Sequence, residues 1–396
     1  MGGGIRVVLV GLGGYGEVYL GALLDRPRRK HVRLAAAVDP APDRCRRQGE
    51  VRARGIPIFP DLAQVPEGGE RCLTVVSSPI HFHAEHTLLA LARGSHVLCE
   101  KPAAATVGEV ERMTAAGAAA GRFVAVGFQW SFSASIRALK RDLAAGVFGR
   151  PRRARSLTLW PRPDAYYARN DWAGRRRDTA GRWILDSPAS NAMAHDLHNL
   201  LFLLGEAEDA TARPVEVEAE TYRAYDVETF DTVAARVRTA GDVEILFLAS
   251  HVTAATRDPA FVLECEEAVV RFPGGLAPMV AAVAGTTVRE YPSPEGVEQT
   301  EKLWVCADAV DGGPLPCTAA TARAHVQVVE AIDGARETRG FPAARRRRGN
   351  DSLGPRTWIE ALDDELGACF TAGRLPSEQG LPWAAPAGRA ILARRA

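Results

Sequence analysis

The sequence predicts an α/β fold in two parts: a doubly wound parallel sheet, then a second domain built on antiparallel strands. Three observations predict it. Over the first 127 residues, short apolar runs alternate with helical patterns, the mark of a parallel sheet covered on both faces. A G-x-G-x-x-G loop, Gly11-Leu12-Gly13-Gly14-Tyr15-Gly16, follows the first of those runs. Beyond residue 214, period-two segments follow one another through short turns such as Ala240-Gly241-Asp242, which implies antiparallel neighbours.

Each element follows from its own pattern. Residues 5–11 read as a strand, 15–24 as a helix and 34–39 as a second strand; 42–54 is a polar helix. Residues 73–77 are a third buried strand, 81–93 a helix stopped by Gly94, and 96–100 another strand. Thr106-Val107-Gly108-Glu109 is a capping box opening an Ala-rich helix to about residue 121, and 123–127 closes the series. The pattern then changes, which puts the boundary near residues 125–130 and divides the chain into 1–127 and 128–396. In the second part, helices are expected at 133–145, 188–204, 319–332 and 356–371. Strands are expected at 152–160, 215–222, 232–238, 243–250 and 261–272.

Composition excludes several classes. At 396 residues and 46% hydrophobic, the chain builds large cores without disulfide or metal staples. Basic and acidic residues nearly cancel at 49 and 48, giving no reason to expect nucleic acid or an anionic membrane as partner. The run Arg345-Arg346-Arg347-Arg348 reads as an exposed loop. Seven scattered cysteines without a C-x-x-C pair argue against zinc or a disulfide framework and for reduced thiols. With neither a signal-peptide pattern nor 18 uninterrupted apolar residues, a cytoplasmic protein is expected. Only four cations are lysine, at 30, 101, 140 and 302, and the other 45 are arginine. A lysine at a motif position is thus a pointer to required chemistry.

The glycine loop lies between a strand and a helix, the context its motif needs. Gly11 permits the tight turn, Gly13 admits a pyrophosphate to the backbone, and Gly16 lets helix and sheet pack closely; Gly14 and Tyr15 complete the loop. The helix start then offers amide donors to phosphates. Asp39 ends the next strand, where a carboxylate accepts from adenosine ribose hydroxyls and repels a 2′-phosphate. NAD is therefore favoured over NADP, with Arg44 close enough to keep NADP in view. Glu100-Lys101-Pro102 ends the fifth strand pattern, at the sheet edge where ligands bind; a plain salt bridge would explain Glu100 and Lys101 equally well. Asn191, His195 and His198 are spaced i, i+4 and i+7, so one helix would put them on one face. Metal binding, a structural hydrogen-bond cluster and an acid/base site are the three readings, and no carboxylate or cysteine completes a metal set.

With the glycine loop, Ser77-Ser78-Pro79, His83, Glu100-Lys101-Pro102 and the histidine helix together, the chain resembles the Gfo/Idh/MocA oxidoreductases. The resemblance spans nearly the whole chain and is strongest over residues 5–205. It implies an N-terminal Rossmann domain and a C-terminal α/β domain with a large, open, mostly antiparallel sheet, whose face supports homodimers or homotetramers. It implies cofactor contacts from Ser77, Pro79, His83, Glu100 and Lys101. Lys101 takes the place of the family lysine at the nicotinamide ribose and substrate hydroxyl. His195 takes the place of the catalytic histidine of an Asp-x-x-x-His pattern. Here that pattern begins with Asn191, which cannot serve as a base, and His198 stands where an Asp is frequent.

The expected activity is NAD-dependent oxidation or reduction of a CH–OH group on a sugar, amino sugar, nucleotide-linked sugar or cyclitol. Lys101 and His195 would act at the reacting oxygen, with Asn191 and His198 orienting His195 or binding a neighbouring hydroxyl. The aromatic and Arg-rich stretch 160–172 is expected to line the pocket, with Tyr166, Arg169 and Trp172 as substrate contacts; an ordinary surface loop is the plain reading. His251 and His325 read as structural, and His81, His83 and His86 as backbone-positioning rather than metal-binding. Two other functions use the same scaffold: retained-NAD epimerisation or elimination on a sugar, and a non-catalytic sugar or dinucleotide sensor.

Overall fold

The computed structural model describes residues 4–296 and 298–392. The chain forms two compact units. The first takes the described residues up to Phe132 and the segment 298–323; the second takes the rest.

The first unit is a six-stranded, all-parallel sheet. Its strands are β1 (Ile5–Val10), β2 (Val32–Val38), β3 (Ile58–Phe59), β4 (Cys72–Val76), β5 (His96–Cys99) and β6 (Val124–Val126), in the order β3-β2-β1-β4-β5-β6. This is the doubly wound order, with its topological switch between β1 and β4. Both of those strands are nearly continuous apolar sequence and almost wholly buried. The expected capping box forms. Glu109 N–H donates to Thr106 Oγ1 at 3.3 Å and Thr106 N–H to Glu109 Oε2 at 3.0 Å, starting the helix Val107–Ala120. The glycine-loop helix runs α over Gly16–Leu20 and widens to a π turn over Gly21–Asp25. The expected helix at 42–54 is a 3-10 turn, Pro42–Arg44, and a short helix, Gln48–Ala53. β3, two residues long, has no period to read.

The helix Glu301–Val310 belongs to this first unit, so assigning all of 128–396 to the second domain is corrected. Its Leu303 and Trp304 are buried, and it lies against β4, β5 and the turn Gln129–Phe132. Sequence order hides this because the segment returns after more than 160 residues.

The second unit holds a ten-stranded sheet. Its strands are β7 (Pro151–Leu159), β8 (Pro214–Arg223), β9 (Thr232–Thr239), β10 (Glu244–Ser250), β11 (Arg257–Cys265), β12 (Val269–Phe272), β13 (Met279–Val283), β14 (Thr286–Tyr291), β15 (Arg339–Gly340) and β18 (Gly388–Ile391). The order is β14-β13-β12-β11-β7-β10-β9-β8-β15. A two-stranded hairpin, β16 (Arg346–Asp351) with β17 (Gly354–Ile359), stands apart, and β18 (Gly388–Ile391) pairs with β8. All pairs in the large sheet are antiparallel except β7 with β10 and β8 with β15.

Three expectations are corrected here. Residues 261–272 are not one strand: Glu266 and Glu267 form a turn and β12 folds back on β11. Residues 356–371 are not one helix: Arg356–Ile359 is the end of β17, and the helix is Leu362–Ala372, whose Leu362, Leu366 and Cys369 pack with Leu157, Leu159 and Leu248 of the sheet. Residues 188–204 are a π turn, Pro188–Ala192, and then a helix, Ala194–Leu203; Met193 between them has φ −108° and ψ 20°. The arginine run is also more ordered than a loop. Arg345 pairs with Glu365, Arg347 with Glu360 and Arg348 with Asp164, so most of its charge is matched locally. No helix among the described residues is long and apolar enough to cross a membrane, and all seven cysteines are free thiols.

Candidate active site

In the first unit the glycine loop crosses the carboxyl end of β1. Gly11 has φ 86° and lies on the Ser77 backbone at the end of β4, and a Cβ on Gly16 would overlap the Gly11 carbonyl. At Gly13 and Gly14 a Cβ would meet nothing within 4 Å, so backbone there is open to a ligand. Asp39, after β2, accepts from Leu12 N–H at 2.9 Å through Oδ2 and from Ala41 N–H at 2.8 Å through Oδ1. Its carboxylate is thereby fixed beside the loop. Open backbone, a helix start and a strand-end carboxylate fit an adenine dinucleotide. Arg44 lies in the exposed 3-10 turn.

The turns after β4 and β5 are tied together. His83 is buried, with Nδ1 2.7 Å from Pro102 O and Nε2 2.9 Å from Ser78 O. Burial lowers its pKa; the two carbonyls pull the other way and do not overcome it. Pro79 precedes the turn Ile80–Phe82 that leads into the His83 helix, and His86 Nδ1 meets Ser78 Oγ at 2.9 Å. The half-buried Lys101 follows directly on the buried Glu100.

Glu100 is the hub of this unit. Its Oε1 accepts from Tyr19 O–H at 2.5 Å and faces Lys302 Nζ at 2.5 Å, and its Oε2 accepts from Lys101 N–H at 3.2 Å. Burial pushes the carboxyl's pKa up, but Lys302, then Tyr19, more than offset this and leave it below the usual range. Burial likewise opposes charge on Lys302, and Glu100 and Tyr15 hold it raised. Both groups are ionised. Tyr15, expected to touch cofactor, lies with its ring 4.5 Å beneath the Lys302 ammonium. The sequence reading missed Lys302 and Tyr19 as partners; the scarcity of lysine was the available signal.

In the second unit a polar cluster surrounds Asp186, which is 3% exposed. Its carboxylate accepts from Asn191 Nδ2 at 2.8 Å and Gly174 N–H at 2.7 Å, with the Arg169 guanidinium at 3.9 Å. Leu185 before it has φ 53°, a left-handed conformation costing roughly 1–2 kcal/mol for a non-glycine residue. Arg169 lies 3.7 Å over the Tyr166 ring and 5.2 Å from that of Trp172, so these three expected substrate contacts are together. Tyr167 Oη lies 3.0 Å from His251 Nδ1, within hydrogen-bond distance; burial keeps the phenol protonated and, with Arg162 and Arg169, the imidazole neutral. The sequence does not single out Asp186, and it offers His251 only as a structural residue.

His195 stands half-buried in the first turn of the helix Ala194–Leu203. Asn191 lies outside this helix, in the π turn that Met193 separates from it. His198, expected to orient His195 or bind a neighbouring hydroxyl, is 1% exposed, its ring stacked 6.0 Å from Phe202 and edge-on 6.3 Å from His325, and burial holds it neutral.

Known proteins match this architecture over most of the chain. The profile of an oxidoreductase family with an NAD-binding Rossmann fold matches residues 5–128, and that of the GFO/IDH/MocA C-terminal domain matches 136–271. The chain belongs to the Gfo/Idh/MocA oxidoreductase family. It is accordingly an NAD-binding oxidoreductase of the dehydrogenase kind. Inositol 2-dehydrogenase 3 of Saccharopolyspora erythraea is 30% identical over 240 residues, 57% of this chain and 69% of the relative. Among solved structures, the WlbA dehydrogenase from Bordetella pertussis in complex with NADH and UDP-GlcNAcA superposes with a TM-score of 0.67 at 22% identity, covering 83% of this chain and 95% of that one. Aldose-aldose oxidoreductase from Caulobacter crescentus gives the same TM-score at 20% identity, covering 83% and 96%. These two establish the fold; Gfo/Idh/MocA membership rests on the sequence.

Proposed function

We propose that this Gfo/Idh/MocA protein reversibly oxidises a secondary alcohol of a sugar, amino sugar, nucleotide-linked sugar or cyclitol. The observation that carries the reading is Lys101, half-buried at the carboxyl edge of a doubly wound sheet, on a turn fixed by Glu100 and His83. When bound, NAD supplies the hydride acceptor. The chain's own residues do the rest. Lys101 Nζ donates to the substrate oxygen and stabilises its growing negative charge. His195 takes the hydroxyl proton. Tyr166, Arg169 and Trp172 present aromatic faces and a guanidinium to the sugar ring. Asp186, through Asn191 and Arg169, orients that cluster. The relative named for inositol supports the cyclitol end of this range. The family resemblance supports a homodimer or homotetramer, which light scattering on the eluting protein reads directly.

The test is absorbance in the NADH band with NAD⁺ and a panel of sugars, amino sugars, nucleotide-linked sugars and cyclitols. Lys101→Ala is expected to lose at least a hundredfold in turnover while NADH affinity stays within about threefold, the usual scale for removing one transition-state donor. Unchanged turnover would end the assignment of Lys101. Substrate conversion by mass without net NADH would instead indicate retained-cofactor chemistry.

A further inference from the structure

Of the four lysines, Lys30 is exposed and Lys101 half-buried, while Lys140 and Lys302 are 2% and 1% exposed. The reaction proposed above uses only Lys101. Lys302 is unusual for its company. Its Nζ touches Glu100 Oε1, lies 3.2 Å from Gly127 O and sits over the Tyr15 ring. Through Glu100 it reaches Tyr19 on the glycine-loop helix and the backbone N–H of Lys101. One ammonium thus joins the loop that takes the dinucleotide, the end of β5, the turn after β6 and the helix Glu301–Val310.

Packing alone does not account for this pair. A buried ion pair carries a desolvation cost, and apolar residues of similar volume are often as stable or more so. What the pair supplies is direction: a carboxylate held at one point, its second oxygen committed to the Lys101 amide. The fit is close. A Cβ on Gly127 would come within 3.1 Å of both carboxylate oxygens and of Lys302 Nζ. A compact ammonium fills this place in a chain that uses the broader guanidinium at 45 other positions.

We infer that Lys302 is a positioning residue, which through Glu100 sets the turn carrying Lys101 relative to the glycine loop. The inference rests on the assignment of Lys101, and its test separates the two. Lysine scarcity makes the test possible without a known substrate. The whole protein is treated briefly with acetic anhydride and acetylation is read at each lysine by mass spectrometry. Lys30 is the internal standard, and Lys140 staying unmodified reports that the fold holds.

Two variants are compared with the parent. Glu100→Gln/Lys302→Met replaces the ion pair by a neutral pair of similar size, and Gln keeps an oxygen for Lys101 N–H or Tyr19. Gly127→Ala keeps both charges and wedges them apart. The Lys101-to-Lys30 ratio is expected to rise at least fivefold in the double variant and twofold or more in Gly127→Ala, with Lys140 still protected. A ratio within twofold of the parent in both variants overturns the inference, as does a rise accompanied by Lys140 labelling in both, which marks a structural role only. If the double variant does not fold, Gly127→Ala decides by the same ratio. NADH shielding Lys101 in the parent is a separate outcome. Its absence counts against the proposed place of Lys101 and leaves the labelling ratio to judge Lys302.

Discussion

Asp231 shows what burial does to a single residue. It sits fully buried where β8 passes to β9, its Oδ2 accepting from Ala224 N–H at 2.6 Å and Tyr225 N–H at 2.9 Å. Burial outweighs those donors and pushes its pKa up to about 7. An acid raised in the folded state holds its proton while the unfolded chain, titrating near 4, has lost it. Stability therefore falls as pH rises from about 4 to 7, and is level on either side. Asp231→Asn keeps the accepting oxygen and removes the titration. Its advantage over the parent should grow by up to about 1.4 kcal/mol per pH unit across that window, read from urea midpoints. A constant difference from pH 4 to 7 would refute the buried ionisation. His198 and His251 act with the opposite sign: both are held below the usual imidazole range by burial, so stability is lost as pH falls below about 6.5. None of this was legible in sequence, because a lone Asp between two strand patterns does not reveal how much water it has lost.

Among the elements, local signals were read well and supporting ones were not. The capping box at Thr106, the glycine loop and the carboxyl edge of β5 each carry a local signature, and each formed where the residues implied. Arg356–Ile359 was misread because apolar positions near it fit a helix as well as a hairpin strand, and only the partner β16 decides between them. The helix bearing His195 starts later than its pattern implies: Pro188–Ala192 forms a π turn, and from it Asn191 donates to Asp186, a contact that the local sequence does not show. Its end is held by Lys140, whose Nζ donates to Phe202 O at 2.6 Å and to Ala210 O at 2.5 Å and lies 3.7 Å from the Phe202 ring. A cation at a helix carboxyl end is favourable, and hydrogen bonds to a charged group contribute about 1.5–3 kcal/mol. Lys140→Met should therefore lower stability by roughly 1–3 kcal/mol, the gain from relieving a buried ammonium offsetting part of the loss. An unchanged denaturation midpoint would show that the helix end needs no such tie.

For the whole chain, what sequence order conceals is that the first unit is discontinuous. The segment 298–323 joins it in three ways. Exposed pairs such as Arg29 with Asp308 and Arg71 with Asp311 are worth little, about 0–1 kcal/mol each. Backbone pairing brings Val126 N–H to Cys317 O at 3.0 Å beside β6. The decisive contribution is interior. Leu303 and Trp304 are buried, each worth roughly 1.5–3 kcal/mol on the scale of a large apolar side chain, and Lys302 neutralises Glu100. Cut where the first segment of the unit ends, a fragment ending at residue 132 keeps a buried carboxylate with no cation and an apolar strip facing water. Breaking a buried pair from one side costs about 3–5 kcal/mol, comparable with the whole stability of a small domain. Residues 1–132 alone should therefore show no cooperative thermal transition and weak NADH binding. The same residues joined through a flexible linker to 298–323 should regain both, and Lys302→Met in that joined protein should weaken its transition again. A sharp transition and full NADH affinity in 1–132 alone would mean that the sheet carries its own core, and that the returning segment only covers it.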